Sequence, residues 1–173
     1  MFKKIAIYLL VFCLVPSVAS AEEGSPRAIR IDVPLVIKPI SIEASSARLP
    51  DEKKGEDFYA KNAADGSPNS RWESIQVEPQ WLALDLGNTY YVDKIIVLWG
   101  TNYAVSYKIS ISKDKINWKE VRATENGRGG TETVTFPLSE IRHIRIDCIT
   151  QGEEGGFSVR EISVLGKRRL VLL

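Results

Sequence analysis

Histidine occurs once in the 173 residues and cysteine twice, and no apolar run is long enough to form a membrane-spanning helix. Each scarcity removes a class of function. With His143 as the only histidine and no cysteine cluster, the chain lacks a catalytic zinc set, and with His143 read as a strand residue no Ser-His-Asp triad is expected. His143 sits between Arg142 and Ile144 in an alternating stretch and reads as a satisfied strand histidine. Cys13 falls in the N-terminal apolar segment and Cys148 stands by itself in an apolar strand pattern, so the mature chain has no intramolecular disulfide. Cys148 reads as a small buried hydrophobe rather than a reactive thiol. An excess of one charge is also lacking: 23 basic residues face 22 acidic ones, and removal of Lys3 and Lys4 leaves 21 against 22. So balanced a chain offers no broad attraction to nucleic acid or to an anionic membrane.

What is present begins with Lys3 and Lys4 ahead of an apolar run from Ile5 to Val15, followed by the small residues Ala19-Ser20-Ala21 and the acidic pair Glu22 and Glu23. This is the pattern of an export signal over residues 1–21, cut after Ala21, and it places the mature protein in the periplasm or outside the cell. The run is shorter than the roughly 20 residues a membrane span needs. Val11 and Phe12 are not the small residues that precede a lipidated cysteine, which argues against an anchor on Cys13. Residues 22–36, interrupted at Pro34, read as a linker or an edge strand. A single domain is expected over 37–166. The basic and apolar tail 167–173 reads as a frayed end, a last strand or a docking peptide.

Within the domain, short runs rich in β-branched and aromatic residues recur: Ile40 to Ala44, Trp81 to Asp85, Lys94 to Trp99, Tyr107 to Ser112, Lys119 to Ala123, Thr131 to Phe136, His143 to Cys148 and Ser158 to Leu165. Turn residues separate them, as in Leu86-Gly87-Asn88, Lys113-Asp114-Lys115 and Asn126 to Gly130, and one helical turn fits Phe58 to Ala63. No long helical period and no internal repeat interrupts the series. The pattern predicts an all-β fold, a single sandwich of about eight antiparallel strands.

Several phrases then coincide with one family. Asn62-Ala63-Ala64-Asp65-Gly66-Ser67-Pro68-Asn69-Ser70-Arg71-Trp72 and Pro79-Gln80-Trp81-Leu82-Ala83-Leu84-Asp85-Leu86-Gly87 are similar to the two opening motifs of the discoidin, or coagulation factor V/VIII C-type, domain. Trp99 to Ala104, Tyr107 to Ile109, and Ser112-Lys113-Asp114 with Asn117-Trp118 resemble its bacterial branch, related to family 32 carbohydrate-binding modules. Arg142 to Ile146 and Phe157 to Gly166 resemble its late and closing strands. The resemblance covers roughly Ala44 to Gly166 and implies a jelly-roll, galactose-binding-like sandwich. Animal members commonly tie their ends with a disulfide that this chain cannot form, which favours the sugar-binding branch.

By itself, the loop from Asn62 to Ser70 combines a carboxylate, a glycine turn and small hydroxyl residues, whereas a hard cation wants six or more oxygens. The resemblance implies a structural calcium ion, Ca2+, held by the carboxylates of Asp65 and Glu161, by Ser70, and by the carbonyls of Asn62, Ser67 and Arg160. The alternative is that Asp65 merely caps the turn at Gly66. Asp85, before a Leu-Gly turn, reads as structural.

A sugar is gripped by a flat apolar surface and by fixed donors and acceptors, so its partners belong on loops. The expected contacts are Arg71, Glu73, Asn102, Tyr103, Arg128 and Phe157. Each has a plainer alternative: Tyr103 packs over the sandwich end, Phe157 is half buried, and Arg71 and Arg128 are solvated charges. Trp81 and Trp118 are expected in the core, while Trp72 and Trp99 stand between core and ligand. Glu153 and Glu154 are adjacent and so do not make a glycosidase pair, and Gly127 to Gly130 reads as a hairpin turn rather than a phosphate loop. The sequence thus points to a non-catalytic, calcium-stabilised carbohydrate-binding domain recognising a glycan or polysaccharide. The alternative is a module that docks an envelope protein. Membrane attachment is disfavoured, because the loops carry no paired apolar spikes.

Overall fold

The computed structural model describes residues 29–152 and 155–172, with side chains over 33–152 and 155–167. The export segment with Cys13, the acidic pair Glu153 and Glu154, and Leu173 lie outside the described residues.

Eight strands follow one another: β1 (Ile29–Ile37), β2 (Ser41–Ala44), β3 (Trp72–Glu73), β4 (Gln80–Trp99), β5 (Ala104–Ser112), β6 (Trp118–Thr124), β7 (Thr131–Gln151) and β8 (Ser158–Leu172). A single 3-10 turn, Ala60–Ala64, precedes β3. Every pairing is antiparallel, in the order β1-β8-β4-β7-β5-β6, with β2 on β4 and β3 on β8.

Two long strands turn this order into two layers. The first half of β4 pairs with β2 and with the second half of β7, which in turn pairs with β5. The second half of β4 pairs with the first half of β7 and with β8. Register breaks between Asp85 and Tyr90 and between Val92 and Lys94 let β4 bend from one layer into the other, as β-bulges do. Four of the runs read from the sequence are therefore halves of two strands. The result is an open sandwich in which the two ends of the strand order, β1 and β6, carry no further strand among the described residues.

Alternation fills the space between the layers. Along β4, Gln80, Leu82, Leu84 and Leu86 point inward while Trp81, Ala83 and Asp85 point outward. Ile109, Ile111, Ile144, Ile146, Ile95, Val97, Val159, Ile162 and Val164 complete the core from the neighbouring strands. Trp72 and Trp99 are core residues, and the Trp99 and Tyr107 rings lie 5.1 Å apart. Trp81 and Trp118 reverse the expectation: Trp81 is half-buried under the Arg145 guanidinium, and Trp118 lies at the surface with its indole N–H donated to the Lys115 carbonyl. Cys148 is wholly buried and its thiol is pushed up by desolvation, which makes it inert. The loop 125–130 is not a hairpin turn, because β6 and β7 are not paired and the chain passes there from one layer to the other.

At the bend of β4, Asp85 accepts from Arg142 through both carboxylate oxygens, at 2.8 and 2.9 Å, and from the Gly87 N–H at 2.8 Å. His143 is buried beside it, with its Nδ1 3.8 Å from Asp85 and without a hydrogen-bond partner among the described residues. Burial holds His143 below its ordinary 6.5, and the Arg142 hydrogen bond holds the Asp85 carboxyl at about 2 instead of 3.8. As pH falls, the unfolded chain takes up a proton at each site before the folded chain does, so stability is complete above the unfolded pKa values and is lost on acidification. The urea midpoint should fall as pH drops from 6.5 and fall again below 3.8. His143→Gln should remove the first decline and leave the second; an unchanged first decline would exclude His143 as its source.

Candidate functional site

One end of the sandwich gathers the loops that follow β2, β3, β4, β6 and β7. Main-chain hydrogen bonds lock them together: Ser158 N–H to Asn102 C=O at 2.6 Å, Gly152 N–H to Tyr103 C=O at 3.1 Å, Gly127 N–H to Val105 C=O at 2.8 Å and Ser74 N–H to Phe157 C=O at 2.8 Å. Between them opens a cleft of about 530 Å³ lined by Arg48, Leu49, Glu73, Ser74, Ile75, Gln76, Asn102 and Gly155.

Glu73 is the hub of this cleft. It is buried, and its two oxygens are taken by Arg48 (Nη1 at 2.6 Å) and Arg71 (Nε at 2.9 Å). Both guanidinium groups lie on the Phe58 ring, 4.8 and 4.7 Å from its centroid. The Glu73 main chain is held as well, accepting from the Arg48 N–H at 2.7 Å and donating to the Phe58 carbonyl at 3.3 Å. A carboxylate buried among charge-assisted donors is fixed in place, and so are the arginines that reach it. Half of the Arg48 side chain, 49 %, remains exposed and presents its remaining donors to the cleft. Facing Arg48, the Asn102 amide donates to Gly155 C=O at 3.4 Å. Leu49 and Ile75 supply exposed aliphatic surface.

The third wall depends on glycine. Gly156 has φ +90°, and a Cβ there would come within 2.7 Å of the Ser74 carbonyl. The Gly156 N–H reaches the Gln151 side chain at 2.9 Å, the Gln151 N–H reaches Glu78 at 2.6 Å, and the Ser74 hydroxyl accepts from the Phe157 N–H at 2.9 Å. A larger residue at 156 would push these loops apart.

Of the six residues expected to contact a ligand, Glu73 and Asn102 line the cleft and Arg71 supports it from behind. Tyr103 is half-buried over the sandwich end, its ring against Gly129 and Gly152, and Arg128 is exposed on the adjoining loop. Phe157 corrects the expectation: it is 0 % exposed and belongs to the core, because its backbone is pinned to Ser74 on both sides. Ser74, Ile75 and Gln76 belong to the loop from Arg71 to Glu78, which qualifies as a ligand loop by composition, whereas Arg48 and Leu49 carry no signal in the sequence. Ser74 to Gln76 fall in a polar loop without a motif, and Arg48 enters only through its contact with Glu73.

Beside the cleft, the loop 62–71 folds back onto β8. Asp65 accepts from the Ser67 N–H at 2.8 Å and the Ser70 hydroxyl at 2.7 Å, and Glu161 accepts from the Gly66 N–H at 3.1 Å. Burial pushes the Glu161 carboxyl above its ordinary range, and the nearby Asp65 charge adds to this against the Gly66 hydrogen bond. The Ser67 carbonyl also turns toward Ser70, at 3.2 Å, and the Arg160 guanidinium reaches the Pro68 carbonyl at 3.3 Å. Asn62 uses its amide within the loop, on Asp57 and on the Arg71 carbonyl at 3.2 Å. Two converging carboxylates with serine and main-chain oxygens make a donor set suited to a hard cation. Among the described residues no cluster of three or more His, Cys, Asp or Glu stands here or elsewhere, so most of any coordination shell would fall to carbonyls and hydroxyls.

Comparison with known proteins agrees with this architecture. The F5/8 type C domain family matches residues 41–162. The polysaccharide lyase 8 family protein HylA of Enterococcus faecalis is 28 % identical over 140 residues, which is 79 % of this chain. The chain spans 10 % of that relative's length. The crystal structure of chitosan-binding module 1 from a chitosanase/glucanase of Paenibacillus sp. IK-5 is 32 % identical, with a TM-score of 0.66 over 74 % of this chain and 96 % of that one. The Clostridium perfringens module CpGH89CBM32-5, in complex with GalNAc-β-1,3-galactose, is 26 % identical, with a TM-score of 0.61 over 72 % and 93 % of the two chains. Both of these structures are carbohydrate-binding modules, and the present chain shares their fold. Its strand order, its ordered motifs and these matches establish that the chain belongs to the F5/8 type C domain family.

Proposed function

We propose that the protein binds a glycan outside the cytoplasm in the cleft formed by Arg48, Glu73, Ile75 and Asn102, and that chitosan-type amino-sugar oligosaccharides are the first class to test. The observation that carries this reading is the preorganised wall: a half-exposed arginine held by a buried carboxylate, opposite an asparagine amide and beside aliphatic surface. Fixed donors lose little freedom when a sugar hydroxyl replaces water, and the aliphatic patch covers an apolar ring face. The choice of amino sugars rests on chitosan-binding module 1 of the Paenibacillus sp. IK-5 enzyme, at 32 % identity, and on module 2 of the same enzyme in complex with chitotriose, at 26 %. An open cleft buries few atoms, so affinity for a short oligosaccharide should lie at about millimolar to high micromolar Kd.

Calorimetric titration of chito-oligosaccharides, with galactosyl and uronate oligosaccharides alongside, tests the reading. Arg48→Ala and Asn102→Ala should each weaken binding about tenfold, equivalent to the loss of one hydrogen bond of about 1.4 kcal/mol. Asn102→Ala should leave thermal stability unchanged, whereas Arg48→Ala should lower it, because buried Glu73 loses one of its two partners. Glu73→Gln should lower thermal stability as well, because it leaves two guanidinium groups without their shared partner. Absence of binding to every glycan class, or binding untouched by both alanine variants, would remove the cleft from consideration.

Calcium belongs to the same proposal as a structural ion, with Asp65, Glu161 and Ser70 holding it through side chains and Asn62, Ser67 and Arg160 through carbonyls. The ion would offset the repulsion between two carboxylates and tie the loop 62–71 to β8, which steadies Arg71 and through it Glu73. Calcium at about one hundred times its Kd should raise Tm by about 5 to 10 °C, and Asp65→Asn or Glu161→Gln should abolish the rise. A Tm indifferent to calcium and to chelator would rule the ion out.

A further inference from the structure

β1 is an edge of the sheet, paired with β8 on one side and with no other strand among the described residues. Its pairs run from Ile29↔Leu172 to Ile37↔Val164, whereas β4 accompanies β8 only as far as Tyr91↔Lys167. Residues 29–33 and 168–172 thus form a two-stranded ribbon that continues past the rest of the layer. The ribbon lies outside the residues 41–162 that the family accounts for. Two strands alone are marginally stable in water, and a free edge offers unpaired N–H and C=O groups to another chain. At the other end of the strand order, β6 carries Lys119, Glu120 and Arg122 in seven residues, charges that discourage pairing. β1 has two charges in nine residues, Arg30 and Asp32.

Pro34 reveals which main-chain groups face outward. It has no N–H, so Pro34↔Lys167 must be a non-hydrogen-bonded pair, and such pairs alternate along an antiparallel ladder. The N–H and C=O groups of Arg30 and Asp32 share this parity and are turned away from β8, toward the free edge.

The outward edge is complementary to itself in one register. When two copies run antiparallel with Ile31 opposite Ile31, Arg30 of each copy stands opposite Asp32 of the other, and Ile29 stands opposite Val33. Both Arg30 and Asp32 pairs then use outward main-chain groups and bring opposite charges into register. A centre at Arg30 or Asp32 sets like charges together, and a centre at Val33 sets Asp32 against the donorless Pro34. We infer that β1 pairs with β1 of a second copy in the Ile31-centred register, so that two sandwiches form a symmetric dimer with one sheet continuous across both.

Cysteine crosslinking and charge exchange test this in protein carrying Cys13→Ser, since Cys148 is buried and does not compete. At the centre of the register Ile31 meets its own copy as a non-hydrogen-bonded pair about 4.5 Å apart between Cα atoms, within disulfide reach. Val33 and its copy stand roughly 14 Å apart, beyond reach. Under mild oxidation Ile31→Cys should convert to a covalent dimer and Val33→Cys should not. Light scattering should show a concentration-dependent dimer that Asp32→Arg weakens about tenfold and that Arg30→Asp with Asp32→Arg restores. A monomer at every concentration, equal crosslinking of the two cysteines, or a dimer indifferent to Asp32→Arg would overturn the inference.

Discussion

A buried carboxylate with two cationic partners governs the working end of this protein. Ionised Glu73 is tolerable away from water because Arg48 and Arg71 meet both of its oxygens, and the arginines are held in turn by the ring of Phe58. Arg48 comes from the segment after β2, Arg71 from the loop that folds onto β8, and Phe58 from the stretch before the 3-10 turn. One side chain thereby ties three parts of the chain that share no strand pairing with one another. The cleft is the solvent-facing side of this knot, and its shape follows from the charge arrangement more than from any apolar packing.

The sandwich contributes a fixed distance between the loops. Because β4 and β7 each run through both layers, the loops after β3, β4 and β7 are set by the same two strands. Asp85 and Arg142 clamp the point where β4 changes layer. At that point His143 is buried beside the clamp, its Nδ1 3.8 Å from Asp85.

Much of the architecture could be read from alternation alone. Leu82, Leu84 and Leu86 mark the inward parity of β4, and that parity by itself places Trp81 outside, although an aromatic ring in a recurring motif suggests core. Trp118 misleads for the same reason, since it follows the turn built on Asp114 and its ring is held at the surface by a hydrogen bond. The continuity of β4 and β7 was hidden because Gly87-Asn88 and Pro137 look like strand ends, whereas here they accompany bends. At the cleft, Glu73 and Asn102 were legible as loop residues next to motifs. Arg48 was not, because its role depends on a partner 25 residues away and on no local pattern.

The pairing of β1 with β8 has a consequence for how the chain becomes a protein. These strands lie far apart along the chain, and Ile29 meets Leu172. The layer containing β8 cannot close until β8 itself has been synthesised, and its contacts with β1 are among the most distant in sequence that the fold contains. Topologies dominated by such contacts assemble slowly, over about milliseconds to seconds. Until β8 emerges the growing chain therefore carries an unpaired edge along the second half of β4, which the finished molecule no longer offers.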